Sequence, residues 1–222
     1  MTPPRQTTVG SDKPADTQLT AAQLRQVPPL QPTPPAWTST VRADFATFLS
    51  DHASCEKKAS GMALSVASHY PDRPVLLSAM VDLAVEELAH YRQVMKLLLA
   101  RQLQPGGDVK DPYIHALNGA IRRGAETFLL DRLLVGAVVE RRGAERFALL
   151  AEALAGSDPE LARFYDDIAA SEARHWELFV HLALRECVAD SADEDTLWTR
   201  LAELAAFEGD VVTNLPLRAA LH

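Results

Sequence analysis

Two short patterns constrain this chain more than anything else in it: Glu87-Leu-Ala-His90 and Glu172-Ala-Arg-His175, each set inside a run of helix-forming apolar residues. Three residues apart on a helix, a carboxylate and an imidazole leave neighbouring faces of one turn, about 4.5 Å apart along the axis, so both can hold one metal ion. A further acid lies upstream of each, Glu56 before the first and Glu140 before the second, at nearly equal separations. Each half of the chain thus reads as one helix offering a single Glu and a partner helix offering Glu-x-x-His. A short turn between antiparallel partners brings the members of each half to one level, because equal lengths run out to the turn and back.

The surrounding pattern is all-α. From Trp37 the sequence is rich in Ala, Leu, Glu and Arg, with Gly and Pro mainly at junctions. A first helix is expected from Thr38 or Ser39, as cap, toward Pro71, a second over about 75–102, a third over 126–155 and a fourth over 159–188. Ser157 and Glu160 stand at capping-box spacing before the fourth, and Ser191 and Glu194 repeat the signal before a shorter C-terminal helix. The segment GGDVKDPYIHALN is too long for a tight turn and predicts a crossover containing a short helix. The fold expected is a ferritin-like four-helix bundle with an additional shorter C-terminal helix.

Glu56, Glu87, His90, Glu140, Glu172 and His175 match the ligand scheme of ferritin-like di-iron and di-manganese bundles. Four carboxylates offset the charge of two divalent ions, and two neutral imidazoles complete the shells. Oxygen and nitrogen donors favour iron or manganese over thiolate-bound zinc. Glu86 reads either as exposed or as a partner for the free ring nitrogen of His90, one turn on; Ser171 occupies its place in the other half. His52, His69, His115, His181 and His222 fit neither repeat and read as non-ligands, and Cys55 reads as a small packed residue.

Residues 1–36 hold many of the 14 prolines and little apolar periodicity, so they read as a disordered leader before one folded domain over 37–222. No run resembles a secretory signal or spans a bilayer, and two cysteines make no disulfide framework, so a soluble cytoplasmic protein is expected. A net charge of −8 argues against a general nucleic-acid binder. The basic clusters Lys57-Lys58, Arg122-Arg123 and Arg141-Arg142 with Arg146 each read first as solvated helix surface, with a phosphate-contacting rim from some of Lys57, Lys58, Arg141 and Arg142 as the alternative.

Beyond the ligand pattern, DHASCEKKASGMALS, VEELAHYRQVMKLLLARQ, DRLLVGAVVERRGAERFALLA, FYDDIAASEARHWELFVHLA and the tail LPLRAALH resemble the bacterial tRNA 2-methylthio-N6-isopentenyladenosine hydroxylases of MiaE type. The resemblance runs from about Trp37 to His222. It implies a non-haem di-iron monooxygenase that hydroxylates the isopentenyl group of the modified adenosine beside the tRNA anticodon. It also implies two iron ions, O2 as co-substrate, and the six residues above as ligands. Two external electrons are needed; with no dinucleotide fingerprint or cysteine cluster in the chain, a ferredoxin or reductase is expected to supply them. The alternative left open is another ferritin-like di-iron oxidase, or a ferroxidase, acting on a small molecule or on iron.

Overall fold

The computed structural model describes residues 18–188 and 193–222. Four long helices dominate: α3 (Phe45–His69), α4 (Pro74–Ala100), α6 (Phe128–Leu154) and α7 (Pro159–Ala183). Shorter ones are α1 (Ala21–Leu24), α2 (Ala36–Ala43) and α5 (Pro112–Gly119), and α8 (Glu194–Asn214) closes the chain. No strand occurs among the described residues.

Capping residues and prolines set the helix starts. Asp44, Asp111, Asp158 and Asp193 each accept a backbone N–H of the first turn of α3, α5, α7 and α8. Pro74, Pro112 and Pro159 occupy the first turns of α4, α5 and α7, where a missing N–H costs nothing. The cap expected at Ser157 therefore falls to Asp158, and the cap expected at Ser191 lies outside the described residues. The expected first helix divides at Asp44, whose φ of −134° ends α2 while its carboxylate caps α3. The fourth helix ends in a π-turn, Leu184–Val188.

α3 packs chiefly on α4 and α6 on α7, each pair antiparallel through a short turn, and α4 also meets α7. Ser60 Oγ donates to Ala84 O at 2.8 Å across the first pair, fixing its level. The link carrying α5 crosses to the second pair, where α5 packs against α6 and α8. This is the expected bundle with its long middle connection.

The folded region starts earlier than Trp37, which corrects the expected 1–36 leader. Residues 1–17 lie outside the described residues, but from Leu19, itself buried, the chain runs as a strap over the second pair. Val27 and Leu30 pack on the main core, and Thr33 N and Oγ1 both donate to Glu145, at 2.9 Å each. Arg141 donates to Pro28 O, and Arg142 Nη2 to Gln31 O at 2.7 Å. After α1, prolines keep residues 28–34 out of helix and sheet, but side chains of α6 supply donors to the carbonyls of Pro28 and Gln31. The tail is also tied down: Trp37 Nε1 donates to Ala220 O and Leu221 N to Asp51 Oδ2.

Candidate metal centre

The structure brings all six expected residues together. Glu56 comes from α3, Glu87 and His90 from α4, Glu140 from α6, and Glu172 and His175 from α7, and none is more than 7% exposed. Their donor atoms form two overlapping groups, Glu56, Glu87, His90 and Glu172 in one, and Glu87, Glu140, Glu172 and His175 in the other, with all atoms of a group within 4.8 Å of one another. Glu87 and Glu172 belong to both. The geometry is that of two adjacent ion positions sharing two carboxylates.

His90 Nδ1 faces Glu56 at 3.6 Å, Glu87 at 3.7 Å and Glu172 at 3.9 Å. His175 Nδ1 faces Glu87 at 2.9 Å, Glu172 at 3.7 Å and Glu140 at 4.0 Å. Glu87 Oε1, His90 Nδ1 and His175 Nδ1 are nevertheless buried without an aligned hydrogen bond. Buried, unpartnered carboxylate and imidazole atoms this close together are what a bound cation would satisfy.

The charges tell the same story. Burial pushes the Glu56, Glu87 and Glu140 carboxyls up from their ordinary range. Burial opposes a charge on His90, yet Glu56 and Glu87 outweigh it and push His90 up to about 10. His175 is raised further, against burial, by Glu172, Glu86 and Glu87. In the absence of a metal, protons take the place of divalent charge among these groups. The donor set fits two ions of the iron or manganese class.

Two residues beside the ligands have roles their sequence positions did not reveal. His52, read as a bystander, is fully buried, and its Nε2 lies 2.6 Å from Glu56 Oε1, one turn on. Burial pushes its pKa down to about 3, and its Nδ1 finds no partner among the described residues. Phe147 and Tyr165 enclose it, at ring-centroid separations of 4.6 and 5.7 Å. The His52-x-x-x-Glu56 spacing was the available signal.

Glu86 corrects the other expectation. It serves His175 rather than His90, with Oε2 3.3 Å from His175 Nε2, an ion-pair contact short of hydrogen-bond alignment. Ser171 Oγ donates to Glu86 Oε1 at 2.5 Å and Arg174 Nη2 at 2.7 Å. The neighbouring His175, chiefly, holds the Glu86 carboxyl well below the usual range. Only the packing of α4 against α7 reveals this pairing.

The expected basic rim does not form as four free cations. Arg142 is fully buried in a bidentate pair with Glu208 of α8, Nε to Oε1 at 2.7 Å and Nη2 to Oε2 at 2.8 Å. Arg141 binds the strap and covers the Trp176 ring at 5.5 Å. Lys57 pairs with Asp108 at 2.8 Å, and Lys58 donates to Val109 O. Cys55 lies away from the ligand cluster, its thiol 3.8 Å from Asp51.

Residues 23–222 match the model of a family described as tRNA-(MS[2]IO[6]A)-hydroxylase (MiaE). A protein of Pseudomonas putida named tRNA 2-(methylsulfanyl)-N(6)-isopentenyladenosine(37) hydroxylase is 40% identical over 152 residues, 68% of this chain and 73% of that one. A protein of the same name from Salmonella typhimurium is 37% identical over 108 residues, 49% of this chain and 39% of that one. A solved structure, "Protein 43 with aldehyde deformylating oxygenase activity from Synechococcus", superposes with a TM-score of 0.77 at 34% identity, covering 86% of this chain and 94% of that chain. Ligand pattern, bundle and sequence agree, and the chain belongs to the MiaE family of tRNA hydroxylases.

Proposed function

We propose that this protein is an oxygen-dependent hydroxylase of tRNA, acting on the isopentenyl group of 2-methylthio-N6-isopentenyladenosine beside the anticodon, with two iron ions held by Glu56, Glu87, His90, Glu140, Glu172 and His175. The observation that carries this reading is the pair of overlapping four-residue groups, buried and with orphaned lone pairs, in a chain 40% identical to a named hydroxylase of that nucleoside. Bound iron supplies the activation of O2 needed to replace a C–H bond by C–OH; the two electrons come from a separate ferredoxin or reductase.

The chain's own groups act in three ways. The four carboxylates neutralise the ions in a site from which bulk water is largely excluded. His52 Nε2 engages one oxygen of Glu56 and leaves the other for metal. Glu86, its Oε2 3.3 Å from His175 Nε2, places a negative charge behind the ring whose Nδ1 faces the centre. The packed aromatic residues around His52 keep this end of the site dry.

Nucleoside mass spectrometry of tRNA from cells with and without the gene tests the reading. Loss of the hydroxylated nucleoside and accumulation of its unhydroxylated form is the expected result; an unchanged pair overturns it. The second reading, a di-iron oxidase of small molecules, is favoured by the likeness to the Synechococcus structure named for aldehyde deformylating oxygenase activity. Turnover of an aldehyde by the iron-loaded protein, with prenylated anticodon-loop RNA left unchanged, would establish it instead.

A further inference from the structure

The six ligands repeat between the two halves of the chain, but the groups that hold them do not. Four residues before Glu56 stands His52, whose Nε2 lies 2.6 Å from Glu56 Oε1. Four residues before Glu140 stands Gly136, and the space a side chain would need there is filled by Phe179: a Cβ at Gly136 would lie 2.9 Å from Phe179 Cε1. Glu140 accordingly accepts no hydrogen bond from outside the ligand cluster among the described residues. Glu140 meets only other members of the cluster, whereas one oxygen of Glu56 is already engaged by the His52 ring.

The histidines differ in the opposite sense. His175 has a carboxylate behind it, Glu86, 3.3 Å from Nε2 and anchored by Ser171 and Arg174. A carboxylate behind a ligating imidazole raises the basicity of the metal-facing nitrogen and fixes the ring. His90 has no such partner on its outward nitrogen among the described residues. The residue at the equivalent repeat position, Ser171, instead donates its hydroxyl to Glu86. Both differences favour the same side.

Resting on the metal centre proposed above, we infer that its two positions are unequal and fill in order: the Glu140/His175 position binds a divalent ion first and more tightly, and the Glu56/His90 position binds second and exchanges. Glu86 is the positioning residue that sets the order, acting through His175. A centre built this way retains one ion when iron is scarce and gains its second only as iron becomes plentiful.

Anaerobic equilibrium dialysis of the metal-stripped full chain against Fe(II), and separately Mn(II), with bound metal counted by mass spectrometry, tests the order without any turnover. Repulsion between two divalent ions separates the steps in any such centre, so the outcome that counts is which variant loses which step. His90→Ala is expected to keep the tight step and lose the weak one, and His175→Ala to lose the tight one. Glu86→Gln, which keeps the shape and removes the charge, is expected to weaken the tight step about 10–100-fold and leave the weak step in place. Ser171→Ala, which frees Glu86 without touching a ligand, shifts the same step in the same direction by less. Melting of the stripped variants at the wild-type temperature separates these effects from misfolding. Equal filling of both positions, or loss of the tight step in His90→Ala, overturns the order while leaving the centre intact. A wild-type chain that binds no metal overturns both.

Discussion

At the scale of single residues, Glu87 and Glu172 carry the most, because each belongs to both ligand groups. Glu87→Ala is expected to remove both ions, with metal per chain falling from two to well under one and hydroxylation below detection. Elemental analysis alongside nucleoside mass spectrometry checks it. That these six residues would meet was legible in the sequence because a helix fixes which residues share a face, and a bundle core gives buried acids few other uses. His52 and Glu86 were not, for different reasons. His52 makes its contact within one helix, but a single His four residues before a Glu has no repeat to mark it. Glu86 reaches His175 across 89 positions of sequence, a relation set only by how α4 and α7 lie against each other.

At the scale of elements, pairs of helices depend on single close approaches. Gly136 of α6 lies against the Phe179 ring of α7, and a methyl there would meet carbon at 2.9 Å. Gly136→Ala is expected to destabilise the chain by about 1–3 kcal/mol, read as a lowered denaturation midpoint with unchanged slope. The junction of α6 with α8 rests on the buried Arg142–Glu208 pair, to which Tyr113 also donates at 3.1 Å. Removing one partner strands the other's charge, so Glu208→Leu is expected to cost about 3–5 kcal/mol in chemical denaturation. Helix existence and order followed from periodicity, proline and glycine. The strap did not, since proline-rich composition describes what a segment cannot form by itself and says nothing of carbonyls that α6 arginines will bind.

At the scale of the molecule, folding gathers four acids into one buried place, and pH should expose that cost. Glu56, Glu87, Glu140, His90 and His175 all have folded-state pKa values raised above their ordinary ones. Their stabilising contribution in the stripped chain is full below the ordinary values and is lost as pH rises through the folded ones. The window opens above the carboxyl value of 4.5 and reaches about 10 at His90. Metal takes the protons' place, so binding should release protons and strengthen as pH rises. Metal near 100 times its dissociation constant should raise Tm by roughly 5–10 °C. The gap between loaded and stripped chains should widen between about pH 5 and pH 8. Parallel melts across that range check it; a gap that narrows would contradict the charge assignments. No helix of the described residues is long and apolar enough to cross a membrane.

By itself the sequence determined the helical class, the pairing of helices and which four carboxylates and two imidazoles would meet, because helical periodicity and short turns are local and fix direction and level. Only the tertiary structure decided which groups stand behind those donors, that two arginines expected at a rim are spent on a strap and on α8, and that the two halves of a repeated motif are unequal. Those facts depend on contacts between residues far apart in the chain, where burial, rather than spacing, selects the partner.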